Sequence, residues 1–363
     1  MDINKLDKNL TVITDIDEPD IEFFDVREEP FEVYGLYDYK NGERFIRMPK
    51  DESSRVSTAV HNISLAPAGG RVRFCTDSEY IAINAKMVSI YRGSHFTLVG
   101  GAGFDLYEDF PEFGSSRYVK TFIPPYNMTD GYTSKIKLGT RKLRYFTINF
   151  PTYSGLCALH IGVQKDAKLG EGMSYRSFEP IVYYGSSITQ GGCASRPGNA
   201  YQAVVSRRLN IDFVNLGFSG NAKGEPAMAE YIAKLPMSVF VMDYDHNAPS
   251  AEHLKNTHYA FYKIIRDARP SLPIVLMSKC DIDSTPNASY DRRDVIMETY
   301  RKAREAGDKN IYFIDGAEVY RGPYEDMCTV DNCHPNDLGF ALMADAVEAQ
   351  LKRVFYTTLF GKE

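Results

Sequence analysis

The stretch IVYYGSSIT, residues 181–189, decides the fold of the C-terminal half of this chain. A short apolar run ends here abruptly in Gly, Ser and Thr, which is typical of a buried strand that leads into a tight turn. Four later runs repeat this pattern, so the stretch is the first of five predicted strands. The later runs are FVNLGFSG (213–220), SVFVMDYD (238–245), PIVLMSK (273–279) and IYFIDG (311–316).

Amphipathic stretches separate these apolar runs and follow the last of them. The stretches are residues 199–209, 225–235, 252–268, 290–306 and 337–354. Apolar strands that alternate with amphipathic helices predict a parallel sheet covered by helices on both faces. The C-terminal half is therefore predicted to be an α/β domain.

The residues before about 170 have a different texture. Short runs rich in Val, Ile, Phe and Tyr, such as YIAINAKM (80–87) and LRYFTINF (143–150), are broken by turn residues every 8 to 12 positions. SKIKLG (134–139) also alternates between polar and apolar residues. This spacing predicts an all-β sandwich or jelly roll without a long helix. In that context Gly100, Gly101 and Gly103 predict a hairpin turn, not a nucleotide-binding loop.

We expect two domains, a sandwich over residues 1–170 and an α/β domain over residues 171–363, since domains average roughly 150 residues. Residues 165–180 have turn residues and mixed charge, and we interpret them as the connection. The first 35 residues are acidic with interleaved aromatic residues. They fit either an arm lying over a domain or a solvated lead-in, and we favour the lead-in.

Composition excludes several classes of function. Asp and Glu number 48 against 42 Lys and Arg, a net charge of -6, which lacks the basic footprint of a nucleic-acid binder. No apolar stretch reaches the roughly 18 to 20 residues that span a membrane. The first ten residues lack the basic and apolar regions of a signal peptide. As written the chain is expected to be cytoplasmic, or secreted or periplasmic if a signal was removed.

The sequence gives little support for a metal or a cofactor. Asp281 and Asp283 are two residues apart, but no HExxH, CxxC or EF-hand spacing occurs, so we expect neither a metal site nor a cofactor. The six cysteines form no CxxC pair and are expected to be buried or free thiols. A disulfide or redox control through Cys193 and Cys333 is the less favoured alternative.

Polar segments follow the predicted strands, where ligands bind in an open parallel sheet. Three segments come directly after strands and a fourth precedes the last helix. Together they supply a hydroxyl nucleophile, an imidazole base, a carboxylate and oxyanion donors, which are the parts of an acyl-transfer site. The segments are Gly185–Thr189, Gly217–Asn221, Asp243–Asn247 and Asp331–Pro335.

Roles follow from position and chemistry. Ser187 lies at a strand-to-helix turn and is the candidate nucleophile, while Asp331 lies three residues before His334 and is placed to orient it. Gly220 and Asn247 are candidate donors to an oxyanion. Three alternatives stay open: Asp315 as the orienting acid, Gly220 as a turn glycine only, and Asn247 as a helix cap. His246 is expected to be a structural hydrogen-bonding residue.

The four segments resemble the four blocks of the SGNH, or GDSL-like, hydrolase superfamily. The resemblance implies a flavodoxin-like α/β/α fold, Ser187 as nucleophile, His334 with Asp331 as base and acid, and Gly220 with Asn247 in the oxyanion hole. The Asp-x-x-His-Pro spelling is the most specific element. One departure is that Ser186 stands where the first block usually has Asp.

Residues 103–107, Gly-Phe-Asp-Leu-Tyr, resemble a Gly-x-Asp-Leu-Tyr motif of a subgroup with an N-terminal β-sandwich. Asp105 is expected to cap a loop locally or to reach the domain interface, and we favour a structural role. The resemblance implies a serine esterase that removes a short acyl group, most simply acetyl, from a carbohydrate or another small-molecule ester. Alternatives are an acyltransferase with the same acyl-enzyme, and a carbohydrate-binding protein whose hydrolase domain is inactive. The oligomeric state is left open.

Overall fold

The N-terminal half forms two antiparallel sheets in this computed structural model, which describes residues 12, 15–176, 179–283 and 289–360. The strands are β1 (Ile21–Asp25), β2 (Glu32–Tyr34), β3 (Arg71–Thr76), β4 (Tyr80–Ser89), β5 (Phe104–Phe110), β6 (Ser115–Phe122), β7 (Gly131–Lys137), β8 (Arg144–Asn149), β9 (Gly155–Gln164) and β10 (Leu169–Glu171). One sheet has the order β1-β9-β4-β7 and the other β10-β3-β8-β5-β6, with β2 paired to β3. Apolar residues from both sheets share one buried core, which confirms the predicted sandwich.

The acidic N-terminal stretch is not a solvated lead-in where it is described, so that expectation was wrong. Strand β1 pairs antiparallel with β9, and β2 pairs with β3. Val26, Phe31 and Val33 are buried in the sandwich core. The burial of these apolar side chains outweighs the acidic composition of the segment. Residues 1–11, 13 and 14 lie outside the described part of the chain.

Three short helices interrupt the sandwich: α1 (Lys50–Val56), α2 (Thr58–Ser64) and α3 (Leu98–Ala102). Helix α3 replaces the hairpin turn predicted from the glycines, because the Thr97 side chain caps it by accepting a hydrogen bond from Gly100 N–H. A Cβ on Gly100 would lie 2.1 Å from the carbonyl oxygen of Ala194. Glycine is needed there for close approach to the other half of the chain.

The C-terminal half is a parallel sheet between two helical layers, which confirms the predicted α/β class. The elements are β11 (Ile181–Gly185), α4 (Ser187–Gln190), α5 (Tyr201–Leu209), β12 (Phe213–Gly217), α6 (Pro226–Lys234), β13 (Val239–Asp243), α7 (Ala251–Ala268), β14 (Ile274–Met277), α8 (Tyr290–Glu305), β15 (Ile311–Ile314) and α9 (Asp337–Phe360). The strand order β12-β11-β13-β14-β15 is that of flavodoxin-like folds. Along β11, Val182 and Tyr184 enter one core while Ile181 and Tyr183 enter the core on the opposite face.

The outer edge of β12 is covered by two buried arginines of the N-terminal half. Arg71 donates to the carbonyl oxygen of Phe213 at 3.1 Å, and Arg47 donates to the carbonyl oxygen of Asn215 at 3.2 Å and to that of Gly217. These alternate residues present their carbonyl groups on the side of β12 away from β11. The sandwich therefore supplies the hydrogen bonds that a further strand would otherwise provide.

The predicted domain boundary between residues 170 and 171 stays a prediction. Strand β10 crosses that position and still pairs with β3, while the parallel sheet begins at Ile181. Within the predicted connection, the Tyr175 hydroxyl accepts a hydrogen bond from Arg71 Nε at 2.6 Å. Of the helices in the described ranges, none combines the length and apolarity needed to cross a membrane.

We predict that Arg47→Ala lowers the free energy of unfolding by about 3–5 kcal/mol, because it leaves several buried carbonyl groups without a donor. Besides β12, Arg47 donates to Ile63 at 2.8 Å and to Ala66 at 2.9 Å. Urea denaturation would measure the change. Arg117→Ala is the control, since that side chain is 70% exposed and its contacts with Glu108 and the Phe110 ring lie at the surface. Equal stability of the two variants would contradict the role of Arg47.

Candidate active site

Ser187 begins the tight turn that follows β11. The Ser186 side chain caps α4 by accepting a hydrogen bond from Ile188 N–H at 3.1 Å, so it performs a capping role at the position where the resembling blocks usually have Asp. A Cβ on Gly185 would lie 2.1 Å from Thr189 Oγ1, so only glycine fits before the turn. Ser187 is largely buried and starts the helix at the carboxyl edge of the sheet.

Ser187, His334 and Asp331 form one chain of hydrogen bonds. Ser187 Oγ lies 2.8 Å from His334 Nε2, and His334 Nδ1 lies 2.8 Å from Asp331 Oδ2. Asp331 Oδ1 also accepts hydrogen bonds from the backbone N–H of His334 and of Cys333. Partial burial alone would raise the pKa of Asp331, but its hydrogen bonds with His334 outweigh burial and lower it. The carboxylate is therefore held ionised beside the imidazole.

The alternative acid, Asp315, is occupied elsewhere. It lies after β15 and makes a two-point pair with Arg293, whose Nε is 2.7 Å from Asp315 Oδ1. Hydrogen bonding to Arg293 lowers the pKa of Asp315. The geometry therefore brings Asp331, and not Asp315, to His334.

Gly220 and Asn247 lie in the turns after β12 and β13. Gly220 has a φ of 68°, and a Cβ built on it would meet nothing within 4 Å, so its φ, not crowding, favours glycine. Asn247 Oδ1 accepts a hydrogen bond from Ala222 N–H at 3.3 Å, which ties the two turns together. Asn247 is not the cap of α7, because Ser250 fills that position by accepting from His253 N–H.

A buried carboxylate, that of Asp243, holds the turn that carries Ser187. Asp243 Oδ2 accepts hydrogen bonds from Thr189 Oγ1 and from the Tyr201 hydroxyl, each at 3.1 Å. Burial raises the pKa of Asp243 to about 7. The Thr189 carbonyl oxygen also accepts from Asn215 at 2.7 Å. These bonds fix the turn that carries Ser187, and the sequence motif gave no sign of them.

His246, next to Asn247, forms a buried ion pair. Its Nε2 lies 2.7 Å from Asp281 Oδ1, and Lys279 Nζ lies 3.1 Å from Asp281 Oδ2. Burial opposes the charge on both partners, yet their attraction holds the pKa of Asp281 near 2 and that of His246 well above its usual range. His246 is therefore paired with Asp281 and takes no part in the hydrogen bonds that join Ser187, His334 and Asp331.

The sandwich brings three side chains to this site that sequence reasoning missed. His95 and Phe96 have ring centroids 5.6 and 6.2 Å from that of His334. The Tyr153 hydroxyl donates to the carbonyl oxygen of Ser187 at 3.3 Å. None of the three belongs to a motif. The one available signal was the His-Phe pair just before the Gly-x-Asp-Leu-Tyr segment.

Asp105 of that segment lies at the interface of the two halves, as one of the two expected roles requires. Its Oδ1 accepts from Asn149 Nδ2 at 2.9 Å and its Oδ2 accepts from Gly198 N–H at 2.8 Å. Arg196 Nε lies 3.5 Å from the same Oδ2. The motif therefore fixes the sandwich to the segment between α4 and α5.

A cleft of about 520 Å³ opens between the sandwich and the edge of the parallel sheet where Ser187 lies. Its sandwich wall includes the Tyr91 and Tyr153 rings and the exposed Arg44, and it reaches Gln190 and Ser219. Gln190 Oε1 accepts a hydrogen bond from Ser219 N–H at 3.0 Å and so shapes the backbone next to Gly220.

The six cysteines, Cys193 and Cys333 among them, are free thiols and form no disulfide.

Comparisons with known proteins agree with this architecture. The model of the GDSL-like Lipase/Acylhydrolase family matches residues 178–352, and the GxDLY model, N-terminus of Esterase_SGNH_hydro-type, matches residues 21–169. No curated protein sequence matches the chain. A solved GDSL-like lipase from Bacteroides ovatus ATCC 8483 is 28% identical, with a TM-score of 0.82 over 92% of this chain and 98% of that chain.

Two further solved structures share the fold at low identity. The salicylyl-acyltransferase SsfX3 from a tetracycline biosynthetic pathway is 19% identical, with a TM-score of 0.74 over 93% of this chain and 98% of that one. The acetyl xylan esterase Est2A from Butyrivibrio proteoclasticus is 13% identical, with a TM-score of 0.56 over 92% and 98%. Residues 178–352 therefore match the GDSL-like lipase/acylhydrolase family and residues 21–169 match the GxDLY-type N-terminus, and the chain is a carboxylic ester hydrolase of the SGNH type.

Proposed function

We propose that this protein is a serine esterase that removes short acyl groups, acetyl above all, from carbohydrates through an acyl-enzyme. The continuous chain of hydrogen bonds from Ser187 through His334 to Asp331, with both distances at 2.8 Å, is the observation that carries the proposal. A nucleophile bonded to a base that is itself oriented by a carboxylate is the arrangement that activates a serine hydroxyl.

The first step is attack of Ser187 Oγ on the ester carbonyl. His334 Nε2 takes the hydroxyl proton, while its Nδ1–H stays hydrogen-bonded to Asp331, which stabilises the imidazolium. The same proton then passes to the leaving alcohol oxygen. A water molecule next gives a proton to His334 as its oxygen attacks the acyl-enzyme carbonyl, and the acid is released as His334 passes that proton to Ser187 Oγ.

The oxyanion needs donors fixed before the reaction begins. Backbone N–H groups of Ser187 and Gly220 and the amide NH₂ of Asn247 are the proposed donors. Because Asn247 Oδ1 already accepts a hydrogen bond from Ala222, its amide is oriented by the scaffold and its nitrogen is left to donate. Donors that need no reorganisation contribute most to stabilising the transition state.

The cleft beside Ser219 is the proposed site for the alcohol part of the substrate. Its volume of about 520 Å³ is far larger than an acetyl group needs. Tyrosine rings with Arg44 and Asn62 on its walls match a sugar, which offers apolar faces and hydroxyl groups together. The acetyl xylan esterase that shares this fold supports the same substrate class.

We predict that Ser187→Ala lowers kcat by about 10⁴- to 10⁶-fold with the fold intact, because the nucleophile is lost. Release of acid from short p-nitrophenyl esters and acetylated sugars would be compared between wild type and variant. Ser186→Ala is a matched control that removes a neighbouring hydroxyl with a capping role only. Turnover of Ser187→Ala near the wild-type rate would refute the assignment. Acyl transfer to an added sugar acceptor in place of acid release would identify an acyltransferase.

The identity of the orienting acid is tested by a pair of variants. Asp331→Asn is expected to lower kcat by about 10⁴-fold, because the amide favours the wrong tautomer of His334. Asp315→Asn is expected to lower kcat less than about tenfold, since its partner is Arg293. The reverse order of the two effects would transfer the role to Asp315.

Asn247→Ala is expected to lower kcat by about 10²- to 10³-fold with little change in KM, because the amide acts on charge that develops in the transition state. Asn247→Asp separates this role from a structural one. The aspartate keeps an oxygen for Ala222 N–H but has no NH₂ group to donate. If Asn247→Asp retained the wild-type kcat, the residue would have a structural role only.

A further inference from the structure

The proposed catalytic base, His334, lies close to two other side chains of types that bind zinc. His95 comes from the sandwich, Cys193 follows α4, and His334 belongs to the catalytic loop. One nitrogen of each imidazole and Cys193 Sγ all lie within 4.8 Å of one another. In a tetrahedral zinc site with bonds of about 2.0 to 2.3 Å, ligand atoms stand roughly 3.5 Å apart. Small side-chain rotations would bring the three atoms to that spacing.

We propose that His95, Cys193 and His334 form a binding site for Zn²⁺ or a similar divalent cation, and that the bound ion inhibits the esterase. Two imidazoles and a thiolate are preferred ligands of zinc. The fourth position would be taken by water, because the His95 side chain is 42% exposed and gives access from solvent. The inhibitory effect rests on the proposed function, whereas the binding does not.

The two loops that carry His95 and Cys193 are joined by a hydrogen bond. The Thr97 hydroxyl donates to the carbonyl oxygen of Ser195 at 2.8 Å, two residues beyond each ligand. Cys193 has a φ of 68°, a conformation that non-glycine residues rarely adopt unless the surroundings hold it. The positions of the ligands are therefore fixed by the contact between the two halves of the chain.

Asp331 faces one ring nitrogen of each imidazole, the nitrogen that would not bind the metal. Its Oδ2 lies 2.8 Å from His334 Nδ1 and 3.8 Å from His95 Nε2. Zinc-bound histidines commonly donate their second ring nitrogen to a carboxylate, which fixes the tautomer and raises the basicity of the ligand. A single carboxylate that faces both rings fits this arrangement.

Zinc binding is a ligand exchange without oxidation or reduction. At Cys193 the ion displaces the thiol proton to solvent and takes the sulfur lone pair. At His334, whose Nδ1 stays bonded to Asp331, the ion takes the lone pair of Nε2, which otherwise accepts the Ser187 proton. The catalytic base is then lost.

Two other groups of potential ligands, among the described residues, carry no such inference. Both contain His246, one with Asp281 and Cys333 and the other with Asp243 and Asp245. His246 is already paired with Asp281 at 2.7 Å, and the Lys279 ammonium lies 3.1 Å from the same carboxylate. These positive charges oppose a divalent cation there.

Cobalt binding to the full chain tests the site without reference to activity. Wild type titrated with Co²⁺ is expected to show the near-ultraviolet charge-transfer absorption of a cobalt thiolate, and Cys193→Ser is expected to lack it. His95→Gln should bind Co²⁺ roughly tenfold or more weakly. Cys157→Ser, which changes a thiol in β9 outside the cluster, should behave as wild type. Absence of the absorption in wild type, or its survival in Cys193→Ser, would overturn the proposal.

Zinc inhibition of ester turnover tests the consequence, with each variant compared with its own metal-free rate. Wild type and Cys157→Ser should be inhibited at the same Zn²⁺ concentration, and Cys193→Ser and His95→Gln should need roughly tenfold more. Equal inhibition of all four proteins would mean that zinc acts elsewhere. If no variant turned over any ester, the proposed function would fail, while the cobalt titration would still decide the metal site.

Discussion

The capping of β12 by Arg47 and Arg71 is the interaction on which the rest of the structure depends. An edge strand has a row of carbonyl groups without partners, and burying such a row is costly unless donors come with it. Arg47 brings its guanidinium from the sandwich into full burial, which lowers its pKa to about 9. Because the carbonyl groups and the guanidinium satisfy each other, the two halves keep one fixed arrangement. That arrangement places His95 beside His334 and Tyr153 against Ser187.

Most of the fold was predictable because its hydrophobic pattern is local. Period-2 and helical repeats depend on neighbours along the chain, so all five parallel strands and their five long helices were found close to their predicted positions. The errors fell where long-range contacts decide. Strand β1 lies in an acidic segment but pairs with β9, and Gly100 is a glycine because the Ala194 carbonyl oxygen approaches it closely. No neighbouring residue announces either contact.

The candidate site divides in the same way. Ser187, Gly220 and Asn247 could be located because parallel strands end at one edge, and the three-residue spacing of Asp331 and His334 is itself local. Sequence left the choice between Asp331 and Asp315 open, because nothing local indicates that Arg293 occupies Asp315. The contacts that His95 and Tyr153 of the sandwich make at this site could not be predicted, because no local sequence pattern indicates which part of the chain a loop residue contacts.

Asp243 and Asp331 both lie near Ser187, but their surroundings shift their pKa values in opposite directions and give them different roles. Asp243 is fully buried, and desolvation raises its pKa, so it serves by accepting hydrogen bonds that hold the Thr189 turn. Asp331 is partly exposed, and hydrogen bonds from its own loop lower its pKa. An ionised carboxylate stabilises the imidazolium, and the hydrogen bonds of its own loop keep Asp331 ionised. The side chains of Asp331 and His95 are both partly exposed, so this edge of the site is open to solvent and a cation can reach His334 there.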